Sequence, residues 1–392
     1  IMIATIWMQS LGPKPNELMT RALGMGPKPT ASESVMNTLL YSINTLSFSH
    51  YFDVCSTEDG RCRPPGTGGG LSQFDEGYLL STGEGILHFL TLDQDTASLQ
   101  TETLPYRVPI NSDEYVASVG ENLRNTFRVT DILLQDRGEN FLLLVAHHFW
   151  KTEQSCGVLR VSSAEGAYTS FLGGTADVKW QTIFETEPCL PAEGGQLTSG
   201  SESGGRMVFM DDGKILLTVG DHEYDGIKRK PILAQDRSTP YGKTMTIDLH
   251  SGASELYSMG HRNPQGLYID PQGVIWSTEH GPQGGDELNI LLQDANYGWP
   301  LVTHGTQYGM HIWPNSTNQG QHNGFQHPVF AWVPSIAVSN LVGVEGELFP
   351  LWQHDLLIAS FKKALYRARI HDGRAIYLES IAIPGRIRDL LE

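Results

Sequence analysis

One pattern returns five times along this 392-residue chain: a polar glycine turn, a run of β-forming residues, then a second turn. It appears as EGYLLSTGEG (76–85), ENFLLLVAHH (139–148), GKILLTVGDH (213–222), GVIWSTEHG (273–281) and HDLLIASFKK (354–363). The starts lie roughly 60 to 80 residues apart, the spacing of a four-stranded unit with decorated loops. Such a unit cannot bury both of its faces alone, so units of this kind pack around an axis as the blades of a propeller. The 42 glycines and 21 prolines supply the turns of an all-β chain. An ordinary β-sandwich with irregular loops has a similar periodicity, so spacing alone leaves both architectures standing.

Charge and cysteine content narrow the function classes. Acidic residues outnumber basic ones by 44 to 27, for a net charge of −17 with no basic stripe. Nucleic acid is therefore a poor partner. There is no run of eighteen apolar residues, and a membrane-spanning helix is not expected. The opening IMIATIWM is apolar but short, without the charged start of a cleavable signal. The four cysteines form no CxxC pattern, so structural zinc is not expected. Cys55 and Cys62 bracket a polar loop and Cys156 and Cys189 make a second candidate pair. Two bridges point to the periplasm or the extracellular space, and four buried free thiols are the alternative. The triplet Asn315-Ser316-Thr317 matters only in a eukaryotic secretory pathway.

Residues 1–65 read differently from the rest. They carry PKP twice, a stretch with helical character (ASESVMNTLLYSINTL, 31–46), and RCRPPGTGGG at the end. They are read as an N-terminal extension, with the propeller spanning 66–392 and starting near Gly68.

Residues 260–300, GHRNPQGLYIDPQGVIWSTEHGPQGGDELNILLQDANYGWP, carry the chemistry. Arg262 and Asn263 sit on a turn framed by glycine and proline. The Gly281-Pro282 turn can direct two consecutive carbonyl oxygens to one side, because proline presets φ and lacks an N–H. Calcium accepts such uncharged oxygens among its six to eight ligands. A guanidinium beside outward carbonyls and carboxylates suits an anionic, carbonyl-rich ligand held with a hard cation.

In GHRNPQG, EHGPQGGDE and NYGWP the chain resembles the soluble aldose (glucose/sorbosone) dehydrogenases, quinoproteins that use pyrroloquinoline quinone (PQQ) and calcium. The resemblance covers roughly residues 200–392 in detail and the first half only in architecture. It implies a six-bladed β-propeller. It also implies that the Gly281 and Pro282 carbonyls hold calcium against the quinone, and that Glu287 and Tyr297 help bind a second, structural calcium. By the same resemblance Arg262 stands near the reactive carbonyl, where it can stabilise developing negative charge. Asn263, Ser335 in WVPSIAVS, Lys362 in SFKK, and Arg386 and Arg388 in GRIRD become cofactor contacts. Alternation along a strand sends both of those last arginines to one face.

The chain departs from the family at two places. The proton-abstracting histidine, four residues before the arginine of a GGR motif, is replaced by Glu202 in GSESGGR, and Ser201 holds the neighbouring aspartate position. A carboxylate can serve as base if burial tunes it, and His222, beside the family-matching Asp221, can substitute; otherwise the site has no base. A glutamine-bearing QxGLLG-like stretch is also absent from the first half, where His147 and His148 lie instead. The chain stops at GRIRDLLE, before a strand the family would add, which leaves either a missing piece or closure by N-terminal strands. The expected function is oxidation of an aldose at C1 by hydride transfer to the quinone, with an external electron acceptor. The alternative is a catalytically silent propeller that binds a protein or glycan, and a lactonase-like calcium hydrolase ranks last.

Overall fold

A computed structural model describes residues 30–49, 54–55, 62–63 and 68–392, except for 75–76, 94–95, 97, 121–125, 192–200, 211 and 318–320. Two small hairpins come first, β1 (Thr30–Asn37) with β2 (Ser42–Ser49) and β3 (Val54–Cys55) with β4 (Cys62–Arg63). Five antiparallel sheets follow, four of them four-stranded and the second five-stranded. The first blade is β5 (Gly69–Phe74), β6 (Gly77–Thr82), β7 (Ile86–Asp93) and β8 (Ser98–Arg107). The second is β9 (Val129–Arg137), β10 (Asn140–Lys151), β11 (Cys156–Ala167) and β12 (Gln181–Glu185), with β13 (Leu190–Pro191) added to β11. The third is β14 (Gly204–Phe209), β15 (Lys214–Val219), β16 (Lys243–Asp248) and β17 (Ser254–Met259). The fourth is β18 (Pro264–Ile269), β19 (Ile275–Glu279), β20 (Asp286–Ile290) and β21 (Phe330–Trp332). The fifth is β22 (Val338–Gly343), β23 (Leu356–Ser360), β24 (Ala364–His371) and β25 (Arg374–Ala382).

The first strands β5, β9, β14, β18 and β22 pack one on the next around the axis. The five repeats recognised in the sequence are the second strands β6, β10, β15, β19 and β23, one step out from the axis. Covered on both faces, β19 by neighbouring blades and β23 by the fourth blade on one side and the C-terminal tail on the other, the two are buried along their whole length, whereas the outer β25 is mostly exposed. That is why they read as continuous apolar runs rather than as alternating ones.

The propeller expectation holds, but the described residues form five blades, not six. The place between β22 and β5 is filled by other chain. The C-terminal residues run past both strands: Ser339 Oγ donates to the Ile387 carbonyl (2.7 Å), Asn340 Nδ2 to Asp389 Oδ1 (2.5 Å), and Leu71 N to Asp389 Oδ2 (2.9 Å). On the open face of the fifth blade, Trp352, Leu357 and Ile381 cluster with Ile387 and Leu390 of this tail and with Met36, Tyr41 and Ile43 of the first hairpin. Leu391 covers Leu71, Leu80 and Leu90 of the first blade. Residues 31–46, expected to tend to helix, instead form β1 and β2. Docking decides against the helix: Leu351 N donates to the Tyr41 hydroxyl (2.8 Å), and the Tyr41 ring stands edge-on to Phe349 and Trp352.

Cys156 and Cys189 form a disulfide, so these two are not the free thiols of the alternative reading. Cys55 and Cys62 face each other across β3 and β4, but their side chains lie outside the described residues. No helix among the described residues is long and apolar enough to cross a membrane.

Near the axis the blades are joined by one arginine. Arg206 on β14 is 5% exposed and donates through Nη1 to Asp131 (2.8 Å) on β9 and to Asp389 (2.9 Å) in the tail. Its Nε donates to the Gln265 carbonyl on β18 (3.2 Å). Arg206→Met is expected to lower folding stability by about 3–5 kcal/mol, because it strands two buried carboxylates. A denaturant melt unchanged from the parent would show that this junction does not tie the ring.

Candidate active site

The turn between β17 and β18 builds the centre of the site. Glu279, at the end of β19, anchors it with both oxygens, accepting from Arg262 N (2.7 Å) and pairing with His261 Nδ1 (2.8 Å). Gly260 has φ +78°, and a Cβ there would stand 2.2 Å from Asn296 Oδ1, so glycine is required for the approach. Thus fixed, Arg262 is largely buried and aimed outward. Its Nη1 donates to the carbonyls of Gly281 (3.0 Å) and His280 (3.3 Å), and its Nη2 to Glu202 Oε1. Its guanidinium lies 5.4 Å from the Trp299 ring centre, and its Nε has no partner.

The Gly281-Pro282 turn is packed tightly against its own chain. A Cβ on Gly281 would meet the Gly284 carbonyl at 2.2 Å. Asp286 holds the turn from β20, accepting from Gly281 N (3.1 Å), Ser335 Oγ (2.7 Å) and Ala337 N (2.6 Å). Asp286 therefore orients the turn and is not free to act as a ligand.

Glu202 has φ +55°, and His222 and Glu223 have φ +52° and +69°. Non-glycine residues in the left-handed region cost energy, and such strain clusters at functional sites. The Glu202 carbonyl accepts from His222 N (3.1 Å), so the two departures from a relaxed chain support each other. Burial works to raise the Glu202 carboxyl, but the Arg262 and Lys228 cations outweigh it and hold it below the usual carboxylate range. Its Oε2 is buried and accepts from no N–H, leaving the Asp221 carboxyl as its hydrogen-bonding neighbour. Asp221 next to it is pushed well up, by burial first and then by the charge of Glu202, while it accepts from Trp299 Nε1 (2.6 Å). Of the two carboxyls, Asp221 therefore keeps its proton to higher pH than Glu202.

His222 is neutral, pushed down to about 4 by burial and by Arg229 and Arg128 against the opposing pull of Glu202. Its side chain faces a separate aromatic pocket lined by Tyr115, Phe127, His148 and Tyr241. A depressed histidine stabilises the fold above its unfolded value near 6.5, and that contribution is lost as pH falls through about 4. Relative to the parent, His222→Gln is expected to gain stability as pH drops from 7 to 4.5. Urea midpoints at the two pH values check this, and an unchanged difference between the proteins contradicts it.

Of the remaining expected cofactor contacts, Lys362 and Arg386 are exposed and Arg388 is half-buried. Lys362 Nζ donates to the Ser335 carbonyl, and the Ser335 hydroxyl reaches Asp286. Arg386 lies 4.6 Å over the Phe361 ring, which in turn lies 5.9 Å from His280. Asn263 Oδ1 accepts from Gly204 N (3.2 Å) and Gln265 Nε2 (2.9 Å), and Arg388 Nη1 donates to Gln265 Oε1 (2.8 Å). Lys362, Arg386 and Arg388 make no salt bridge among the described residues. Burial and the neighbouring Arg206 and Arg128 push Arg388 down to about 9, and its Nε has no partner.

Glu287 and Tyr297 reach the same cavity as Arg262 and Gly281, though differently from each other. The Tyr297 hydroxyl is engaged by backbone, donating to Ile290 O (2.5 Å) and accepting from Leu292 N (2.9 Å). Glu287 is buried, with Oε2 accepting from Asn289 Nδ2 (3.2 Å), and burial followed by the Glu279 charge raises it to about 8. His147 and His148 are buried rather than solvated, and His148 lines the aromatic pocket. Sequence reasoning left Trp299 and Lys228 without roles, although NYGWP contains the first.

Comparison with known proteins decides the lineage. The family model described as Glucose / Sorbosone dehydrogenase matches residues 172–392, more than half of the chain. The chain belongs to the glucose/sorbosone dehydrogenase family. The aldose sugar dehydrogenase YliI of Escherichia coli is 32% identical over 191 residues, 47% of this chain and 49% of that protein. Quinoprotein glucose dehydrogenase B of Acinetobacter calcoaceticus is 30% identical over 132 residues, 28% of each. The chain thus spans about half the length, or less, of these curated relatives. The apo-form of soluble aldose sugar dehydrogenase from E. coli superposes with a TM-score of 0.62 at 23% identity, covering 91% of this chain and 90% of that one. The PQQ-bound aldose sugar dehydrogenase of Streptomyces coelicolor superposes at 0.58 with 20% identity, covering 92% and 89%. At these identities the superpositions speak for the fold. Members of this family are sugar oxidoreductases, and the site described above lies within the matched residues.

Proposed function

We propose that this chain is a PQQ- and calcium-dependent dehydrogenase that oxidises an aldose at C1 and passes the electrons to an external acceptor. One observation carries the reading. Arg262 and Arg388 each keep a buried Nε without a partner, and Lys362, Arg386 and Arg388 carry no carboxylate partner among the described residues. A buried guanidinium N–H left without an acceptor is costly unless a ligand completes it. A tricarboxylate quinone fits that donor set, with the unpartnered Nε atoms of Arg262 and Arg388 among its contacts. The PQQ-bound Streptomyces relative supports the choice of cofactor.

Calcium fits on narrower terms. The Gly281 and Pro282 carbonyls are two oxygens where the ion takes six to eight, and Arg262 already donates to the first of them. The other ligands must come from the cofactor and water, so calcium binding at this turn depends on the quinone. Glu287 and Tyr297 fit a second calcium poorly, because the Tyr297 hydroxyl is engaged by backbone and Asn289 holds one of the two Glu287 oxygens.

When bound, the quinone supplies the hydride acceptor. The protein supplies a base, a fixed cation and shielding from water. Glu202 is the better base of the two candidates: the Arg262 and Lys228 cations favour its ionised form, and Arg262 holds one of its oxygens at the cofactor end. His222 is neutral and able to accept a proton, but it opens on the aromatic pocket instead. Asp221, pushed well up and engaged by Glu202 and Trp299, is the weaker candidate. The Cys156–Cys189 bridge supports a periplasmic or extracellular setting.

The test is aldose-dependent reduction of an artificial dye by protein loaded with PQQ and calcium. Turnover that needs both additions supports the enzyme. Tight quinone binding without turnover of any aldose favours the silent propeller.

A further inference from the structure

The loop connecting β20 to β21 brings two histidines, His304 and His322, onto Glu287. One ligand atom from each of the three lies within 4.8 Å of the others. Glu287 and His322 are buried and His304 is exposed. The His322 Nε2 stands 3.9 Å from Glu287 Oε1, and the His304 and His322 rings stack at 4.5 Å. Asn289 Nδ2 holds the other Glu287 oxygen and so turns Oε1 toward the imidazoles. Two ligands about 2.1 Å from one metal stand at most about 4.2 Å apart, so side-chain adjustments of about half an ångström close the set.

We propose that Glu287, His304 and His322 form a binding site for a divalent first-row transition metal of the zinc class, distinct in ligand chemistry from a calcium site. Calcium takes oxygen ligands and gains little from imidazole, whereas two imidazoles and one carboxylate are a common donor set for zinc and its neighbours. The fourth position opens toward solvent, on the side where His304 and His327 are exposed.

The position gives such a metal a structural consequence. His304 is followed by the stretch that backs the Gly281-Pro282 turn. Gln283 N donates to the Thr306 carbonyl (2.9 Å), and Thr306 N returns the bond to Gln283 (3.0 Å). A Cβ on Gly305 would meet the Gly284 carbonyl at 2.4 Å and Pro282 Cδ at 2.8 Å, so the two segments are in contact with nothing between them. A metal tying His304 and His322 to β20 clamps this backing segment against the turn. The wild-type carbonyls of Gly281 and Pro282 then sit on a fixed support rather than on a loop pinned only by hydrogen bonds.

The experiment is a titration of chelator-stripped protein with Co2+, followed by visible absorption, then competition with Zn2+ and with Ca2+. One equivalent of cobalt is expected to give ligand-field bands of a nitrogen–oxygen site, displaced by zinc and not by a large excess of calcium. His304→Ala, at an exposed position where folding is preserved, is expected to weaken cobalt binding by about 100-fold, and His322→Gln by a similar factor. Absence of a saturable cobalt signal overturns the proposal. So does cobalt affinity unchanged in His304→Ala, or calcium competing on equal terms.

Discussion

Arg262→Ala is expected to abolish binding of PQQ, lowering its affinity by three orders of magnitude or more, about 4 kcal/mol. The side chain makes four connections that no other residue duplicates. It supplies a free Nε, holds the Gly281 and His280 carbonyls, neutralises Glu202 and lies over Trp299. Its removal leaves the buried Glu202 carboxylate without its strongest cation, which raises that carboxyl and destabilises the protein by about 3–5 kcal/mol. Loss of binding through unfolding must be separated from loss of the contact. Arg262→Lys does so: it keeps a charge near Glu202 but lacks the planar fork that meets two acceptors at once. The lysine variant is expected to fold and still bind the quinone at least tenfold more weakly, by about 1.4 kcal/mol. Wild-type affinity in either variant contradicts the pocket assignment.

Glu202→Gln is expected to cut dye-coupled turnover by about 100-fold or more, the usual contribution of a positioned base. Glutamine keeps the shape and can still accept from Arg262, so quinone binding is expected to change little. The loss then lies in kcat, while PQQ affinity serves as the control. Because Arg262 and Lys228 hold the Glu202 carboxyl low, the parent's turnover is expected to fall only at acid pH, as that carboxyl takes up a proton. Glu202→His is expected to move the acid limb upward toward the histidine range, since His titrates near 6.5. If Glu202→Gln turns over like the parent and His222→Gln does not, the base is His222.

What was legible in the sequence follows from packing. The second strand of each blade is covered on both sides, so KILLTV and LLIAS advertise themselves as apolar runs. The first strands were not legible: GGLSQF, GGRMVF and PQGLYI mix glycine and polar residues because they line the crowded axis, where Arg206, Asp131 and Asp389 meet. The five repeats already counted the five blades, and the sixth was expected only from the resemblance. The tail and first hairpin take the sixth place through contacts between chain ends, such as Leu39 N to Glu379 Oε1, 340 residues apart. Tyr41 reads as one aromatic in a helix-like stretch until Trp352 is brought beside it.

The site divides in the same way. Arg262, Gly281 and Pro282 sit within one contiguous motif and were legible because the turn chemistry is local. The Asp221–Trp299 hydrogen bond spans 78 residues, and only folding shows that the Asp221 and Glu202 carboxyls meet. His304 and His322 are eighteen positions apart in irregular chain, with no repeat or helical spacing to mark them as partners.

The account turns on whether this end of the propeller holds the quinone. Calorimetric titration of the protein with PQQ, with and without calcium, measures that directly. One equivalent binding tightly, with calcium uptake only when PQQ is present, is the predicted result. No PQQ binding in the presence of calcium, with the fold intact, contradicts the central claim and leaves a propeller that binds some other partner.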